Sequence, residues 1–140
     1  GLSAFENAPM LIAQSARALP RPLYWTGGQP LAWPNRDYLL VDGDCRIGKG
    51  FELMLCPGHA PGQLAFFVRL SKTGWVLLTS DAISRPAEIE EGFAGSWDVK
   101  LAQHHGARLM ALARKRGAFV IYGHSPEQWP ELKKAPEAYL

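Results

Sequence analysis

Apolar residues fall into short runs separated by clusters of Pro, Gly, Asp and Ser. Met10 to Ala13, Tyr38 to Val41, Phe51 to Cys56, Leu64 to Leu70, Trp75 to Thr79 and Ala118 to Tyr122 are each of strand length and bounded by turn residues. Ser71-Lys72-Thr73-Gly74 joins two of these runs as a hairpin with glycine in its loop. Asp42-Gly43-Asp44 reads as a turn leading from Tyr38 to Val41 toward Phe51 to Cys56. Leu64 to Leu70 and Trp75 to Thr79 are apolar nearly throughout, which predicts a sheet covered on both faces. One long segment has a different period. Leu101, Leu109, Leu112 and Ala113 make an apolar helical stripe, with Ser96 as the expected cap, Asp98 in the first turn, an end near Arg116 and Gly117 as the stop. Shorter helical turns are expected over Leu2 to Asn7, capped by Ser3, and over Ser15 to Leu19, ended by Pro20 and Pro22. A last helix is expected from Pro126 to Lys133, capped by Ser125 with Pro126 at its first position. Leu23 to Asn35 is a loop carrying Tyr24, Trp25 and Trp33, and Ile83 to Gly95 is irregular and acidic. Strands and helices mixed in this order predict an α/β chain.

Composition narrows the reading. The 140 residues fit a single domain, 1–140, without an internal repeat or linker. A net charge of +2 is too small to argue for nucleic acid or an anionic membrane surface. The basic cluster Arg114-Lys115-Arg116 sits at the expected helix end, where it complements the helix dipole. No apolar run approaches the roughly 18–20 residues of a membrane span. No secretory signal is visible, so a cytoplasmic chain is expected, and Gly1 in place of Met implies that polypeptide upstream is missing. In that compartment the two cysteines, Cys45 and Cys56, are expected to be reduced and buried, and Cys56 lacks the CxxC partner of a zinc or redox motif.

The candidate chemistry centres on Cys56-Pro57-Gly58-His59-Ala60-Pro61-Gly62-Gln63. Its paired Pro and Gly residues stop both flanking runs and hold His59 on a tight loop. Asp81 follows the run Trp75 to Thr79, and Gly123-His124 follows Ala118 to Tyr122. Each group thus sits just past the C-terminal end of an apolar run, where α/β sheets collect functional side chains. Two imidazoles and a carboxylate suit Zn²⁺ or a similar divalent ion, provided the three strands are neighbours. His104 and His105 are adjacent on the expected helix, point about 100° apart and read as surface or interface residues. The aromatics of the Leu23 to Asn35 loop either line an apolar substrate pocket or cover the core edge. No GxSxG, GxxxxGK[ST] or GxGxxG occurs, so serine-hydrolase and nucleotide readings lack support.

Three ordered segments carry a resemblance: Pro57-Gly58-His59-Ala60-Pro61-Gly62, Val76-Leu77-Leu78-Thr79-Ser80-Asp81-Ala82, and Ile121-Tyr122-Gly123-His124-Ser125-Pro126-Glu127-Gln128-Trp129. In these the chain resembles the metallo-β-lactamase superfamily, in its N-acyl-homoserine lactonase-like branch. The resemblance implies the second, C-terminal part of an αββα sandwich with a mixed, mostly antiparallel sheet. It assigns His59 to one metal, Asp81 to a position bridging two metals, and His124 to the other. Asp81 is then also the catalytic carboxylate, beside a metal-activated water. The family's HxHxDH motif is absent; in relatives it lies just upstream of a segment resembling Gly1 to Asn7. The branch often has aspartate where this chain has Ser125, a second turn histidine where it has Gln63, and tyrosine where it has Ser84. A substrate-contacting position therefore falls on Ser84, and Trp25, Trp33 and Phe93 are assigned to an acyl-chain pocket.

The implied activity is metal-dependent opening of N-acyl-homoserine-lactone-type rings. One alternative is a sister hydrolase acting on a thioester or another ester, like glyoxalase II. Another is a metal-free structural or interaction piece. Two zinc ions are expected in a complete domain, with low or absent occupancy in this chain alone. The apolar sheet is expected to pack against upstream polypeptide or another copy.

Overall fold

Three connections build most of the sheet, because each returns the chain beside the strand it has just left. The structure, a computed structural model, describes residue 5, residues 8–22 and residues 32–140. The expected turn from Leu2 to Asn7 and the residues Tyr24 and Trp25 lie largely or wholly outside these. Strand β3 (Cys45–Gly48) pairs antiparallel with β4 (Phe51–Leu55), β4 with β5 (Leu64–Leu70) and β5 with β6 (Gly74–Leu78). The chain then crosses through a long helix and returns as β7 (Phe119–Ile121), parallel to β6. The result is a five-stranded, mixed, mostly antiparallel sheet in the order β3-β4-β5-β6-β7. A separate parallel pair joins β1 (Met10–Ala13) to β2 (Tyr38–Val41), with the short helical turn α1 (Gln14–Arg17) after β1.

Three local expectations are corrected. The turn after β2 does not lead directly into β4, because β3 intervenes as a strand of only four residues with a register shift between Arg46 and Gly48. Such a piece has no periodic signature and becomes a strand only through its neighbour β4. The long helix α3 (Val99–Arg116) is capped by Asp98 rather than Ser96: the Asp98 carboxylate accepts the Leu101 N–H at 3.0 Å, and Gly117, at φ 59°, closes the other end. The expected C-terminal helix is reduced to one 3₁₀ turn, Trp129–Glu131, because Pro130 has no N–H with which to extend a helical ladder. Between β6 and α3 lies one short helix, α2 (Glu88–Glu91).

Helix α3 covers one face of the sheet. Ala102, Leu109 and Ala113 pack over Met54, Cys56, Ala65, Phe67 and Leu77. The opposite face carries two cross-strand rows, Phe51-Val68-Val76-Phe119 and Leu53-Phe66-Leu78-Ile121. Leu53 and Val76 are buried there, but Phe51, Leu78 and Phe119 are each more than a third exposed. Coverage on both faces, expected from the apolar strands, is thus fuller on the α3 side, where Trp75 and Val120 stay half-buried, and partial on the other. Among the described residues no helix is long and apolar enough to cross a membrane.

Candidate active site

Strand direction decides where the candidate residues emerge. Strand β4 is antiparallel to β5 and β5 to β6, so β4 and β6 point the same way, and β7 is parallel to β6. The C-terminal ends of β4, β6 and β7 therefore share one edge of the sheet, from which the loops carrying His59, Asp81 and His124 leave.

Asp81 sits in a 3₁₀ turn, Ser80–Ala82, at the end of β6. Thr79, fully buried, anchors that turn: its N–H donates to the Ile121 carbonyl at 3.0 Å and its hydroxyl to the Ile83 carbonyl at 2.7 Å. The neighbouring loop crosses directly over it. Gly123 N–H donates to Ile83 O at 3.3 Å, and His124 N–H to Ser84 O at 2.7 Å. A Cβ on Gly123 would stand 2.3 Å from the Ser80 carbonyl oxygen, so glycine is the residue that allows this approach. The crossing sets His124 Nε2 2.7 Å from Asp81 Oδ1, with the imidazole 73% and the carboxylate 37% exposed.

His59 is held differently. The Gly58 and His59 carbonyls accept the N–H groups of Asp98 and Trp97, at 2.9 and 3.3 Å, so the loop is tied to the start of α3. Gly58 (φ 151°) lies against that helix, where a Cβ would meet Ala102 backbone atoms at 2.4 Å. The end of β4 is fixed by an ion pair. Arg108 bonds Asp44 at 2.6 Å and the Leu55 carbonyl at 2.8 Å, while Asp44 accepts the Leu55 N–H at 2.9 Å. Strand β5 lies between β4 and β6, so His59 starts about two strand spacings, roughly 10 Å, from Asp81. The structure thus brings Asp81 and His124 together and leaves His59 on the same edge; among the described residues no three His, Cys, Asp or Glu side chains form a metal-binding group. The donor chemistry of the Asp81–His124 pair, one carboxylate oxygen facing one imidazole nitrogen, fits two positions of a four-coordinate Zn²⁺.

An open cleft of about 410 Å³ reaches Asp81 and Ser80 from the side of the His59 loop, whose Ala60 to Gln63 line it together with Leu64, Phe66, Leu19 and Trp33. Trp33 is fixed as a wall: its indole N–H donates to Leu19 O at 2.9 Å, and its ring meets Tyr38 edge to face at 6.2 Å. Phe93 is not at the cleft. It adopts a left-handed conformation (φ 61°) and is buried in the core, its ring filling the space that a side chain at Gly106 would need. Ser84 lies beside His124 through its backbone: its carbonyl accepts the His124 N–H, and its own N–H donates to Glu88 Oε2 at 2.5 Å. Residues that sequence pattern did not single out are Thr79, the Asp44–Arg108 pair and Gln128. A threonine at a strand end carries no signal of its own, and the other contacts join residues distant in the chain or facing a sheet edge.

His104 is exposed and His105 half-buried, with its Nδ1 enclosed and without a hydrogen-bond partner. Burial, then the positive Arg108 and the neighbouring His104, lower the His105 pKa, against a smaller opposing effect of Asp44. Both cysteines are free; Cys45 is half-buried, and burial pushes the Cys56 thiol up to about 12. The two shifts bound a pH window with opposite signs. The folded state disfavours protonated His105, so its contribution is lost as pH falls below the usual 6.5. It also disfavours the Cys56 thiolate, so that contribution is lost as pH rises from 9.0 toward about 12. Unfolding midpoints measured from pH 5 to 11 are expected to peak between these limits. His105→Gln should flatten the acid limb and Cys56→Ala the alkaline limb; unchanged limbs would refute the assignment.

No family profile matches the chain. It is 31% identical over 141 residues to an N-acyl homoserine lactonase of Bacillus thuringiensis, an alignment covering 98% of this chain and 55% of the relative. It is 40% identical over 109 residues to the N-acyl homoserine lactonase AttM of Azorhizobium caulinodans, covering 74% of this chain and 38% of that protein. Among solved structures, an N-acyl homoserine lactone hydrolase with N-hexanoyl-L-homoserine at its catalytic metal centre superposes with a TM-score of 0.84 at 30% identity, over 98% of this chain and 55% of that one. The dizinc quorum-quenching lactonase AidC shares the fold at a TM-score of 0.53 and 22% identity, over 74% of this chain and 39% of that one. The chain thus spans little more than half the length of the relatives that match nearly all of it.

Proposed function

The chain is homologous to the N-acyl homoserine lactonases and carries part of their metallo-β-lactamase-type fold, and from that premise we propose that it forms the Asp81 and His124 side of a metal-dependent lactone-opening site. The observation that carries this reading is the Asp81–His124 pair, 2.7 Å apart, at the sheet edge. Asp81 and His124 would each supply one ligand, with His59 and polypeptide beyond this chain supplying the rest. The metal, when bound, lowers the pKa of a water and polarises the substrate carbonyl. The chain's own residues do the remaining work. Thr79 holds the Asp81 turn against β7, the 83–84 carbonyls hold the backbone that carries the imidazole, and Trp33 with Phe66 gives the cleft an apolar wall suited to an acyl chain.

The half-exposed face bearing Phe51, Leu78 and Phe119 is the surface on which a further part of such a domain would pack. The chain alone would then bind metal weakly, since a full structural or catalytic zinc site needs three or four protein ligands.

The test compares the 140-residue chain with the complete protein. Elemental analysis and ring opening of N-hexanoyl homoserine lactone, followed by chromatography of the open acid, are expected to show about two metals and turnover only in the complete protein. Two tightly held metals in the isolated chain would overturn the incomplete-site reading. Turnover of thioesters with no lactone opening would select the sister-hydrolase alternative, and a metal-free, inactive complete protein would select a structural role.

A further inference from the structure

Strand β7 is the last strand of the sheet, and among the described residues its outer edge faces no other strand. Its inner edge pairs with β6: the register runs from Val76–Phe119 to Leu78–Ile121, and the Ile121 carbonyl accepts the Thr79 N–H at 3.0 Å. Residues alternate along a strand, so the Val120 carbonyl and the Tyr122 N–H point to the outer edge. Both are bonded by one side chain. Gln128 Nε2 donates to Val120 O at 2.7 Å, and Gln128 Oε1 accepts the Tyr122 N–H at 3.0 Å. A primary amide sets an N–H donor beside a carbonyl acceptor in one plane, and so can meet the same two backbone groups that a neighbouring strand would meet.

Gln128 is itself held in place. Its backbone N–H donates to the hydroxyl of Ser125 at 3.2 Å, and Ser125 is only 8% exposed. The segment from Tyr122 to Gln128 is therefore closed on itself, and Gly123-His124 spans the gap between its two anchors. On the inner side these two residues lie on the Ile83 and Ser84 carbonyls; on the outer side the Gln128 amide holds the N–H of the residue that precedes them.

We propose that Gln128 is a positioning residue for His124: its side-chain amide replaces a neighbouring strand at the edge of β7 and so fixes the chain that presents the imidazole to Asp81. The alternative is that the amide merely seals an exposed sheet edge against pairing with another chain. The two differ in whether the imidazole responds. The proposal concerns a residue of the metal reading above, but it stands on the Asp81–His124 geometry and is tested without metal.

The probe is the Nε2 nitrogen resonance of His124 in the complete protein, stripped of metal and labelled with ¹⁵N-histidine, assigned through His124→Gln. Asp81→Asn gives the reference signal for an imidazole that has lost its carboxylate. Gln128→Leu removes both amide contacts. Gln128→Glu keeps an acceptor for Tyr122 but sets a carboxylate oxygen against the Val120 carbonyl. In both variants the His124 signal is expected to move or broaden toward the Asp81→Asn position while the His59 signal stays in place. A core variant such as Leu112→Ala, with a comparable loss of thermal midpoint, should move neither. If Gln128→Leu fails to fold, Gln128→Glu carries the test. An unmoved His124 signal in the folded Gln128 variants overturns the proposal and leaves edge sealing. Failure of the metal reading would instead appear as no metal uptake by the complete protein, with the His124 signal still dependent on Gln128.

Discussion

Asp81→Asn in the complete protein is expected to lower kcat/KM for N-acyl homoserine lactone opening by about 10³-fold or more, well beyond the roughly 10–100-fold that loss of an outer-shell partner typically costs a metal site. The substitution keeps size and an oxygen facing His124, so it isolates the charge. A neutral amide is a poor ligand for Zn²⁺ beside a carboxylate, and the metal content should fall with the rate. The loss should appear in kcat rather than KM, because the cleft walls at Trp33, Leu64 and Phe66 are untouched. The thermal midpoint should change little, since the Asp81 side chain is more than a third exposed and its polar contact with His124 lies open to water. His124→Gln should cost a similar factor, and the double variant little more than either, because both residues act through one site. A variant Asp81→Asn retaining a tenth of the activity with full metal content would remove Asp81 from the chemistry.

Gly58→Ala is expected to destabilise the fold by about 3 kcal/mol or more, combining roughly 1–3 kcal/mol for a non-glycine residue in a sparsely populated backbone region with roughly 1–3 kcal/mol for overpacking. The added methyl would stand 2.4 Å from the Ala102 backbone of α3, and a helix backbone cannot turn aside as a flexible side chain can. The loop carrying His59 would have to leave the helix, and the bonds from Asp98 N–H and Trp97 N–H to its carbonyls would break with it. A fall in the thermal midpoint of about 10 °C follows for a domain of this size. Ala102→Gly in the same chain should recover part of it, because that change deletes the third atom the methyl would meet, the Ala102 Cβ at 2.8 Å. A midpoint within 2 °C of the parent would show that the loop and helix separate at little cost.

Secondary structure was legible wherever its cause is local. The strands β4, β5, β6 and β7 follow from apolar runs of strand length bounded by turn residues. The end of α3 follows from Gly117, whose left-handed conformation is the usual stop. The placement of His59, Asp81 and His124 just beyond strand ends was equally local. Where a neighbour decides the outcome, local pattern failed. Cys45–Gly48 is a strand because β4 pairs with it, Asp98 displaced Ser96 as cap because the helix begins where its carboxylate reaches the Leu101 N–H, and Phe93 entered the core because Gly106 leaves room for its ring.

Residue identity and spacing sufficed to mark which residues can ligate or polarise, that they follow strands, and that an apolar sheet needs cover on both faces. Those facts depend on side-chain chemistry and on periodicities of two and 3.6 residues, which any short window of the chain contains. That Asp81 and His124 meet while His59 stands across β5, and that Gln128 closes the outer edge of β7, follows from long-range packing. Strand order is set by the crossover through α3 and by packing between residues far apart in the chain. No local pattern encodes which two strand ends become neighbours.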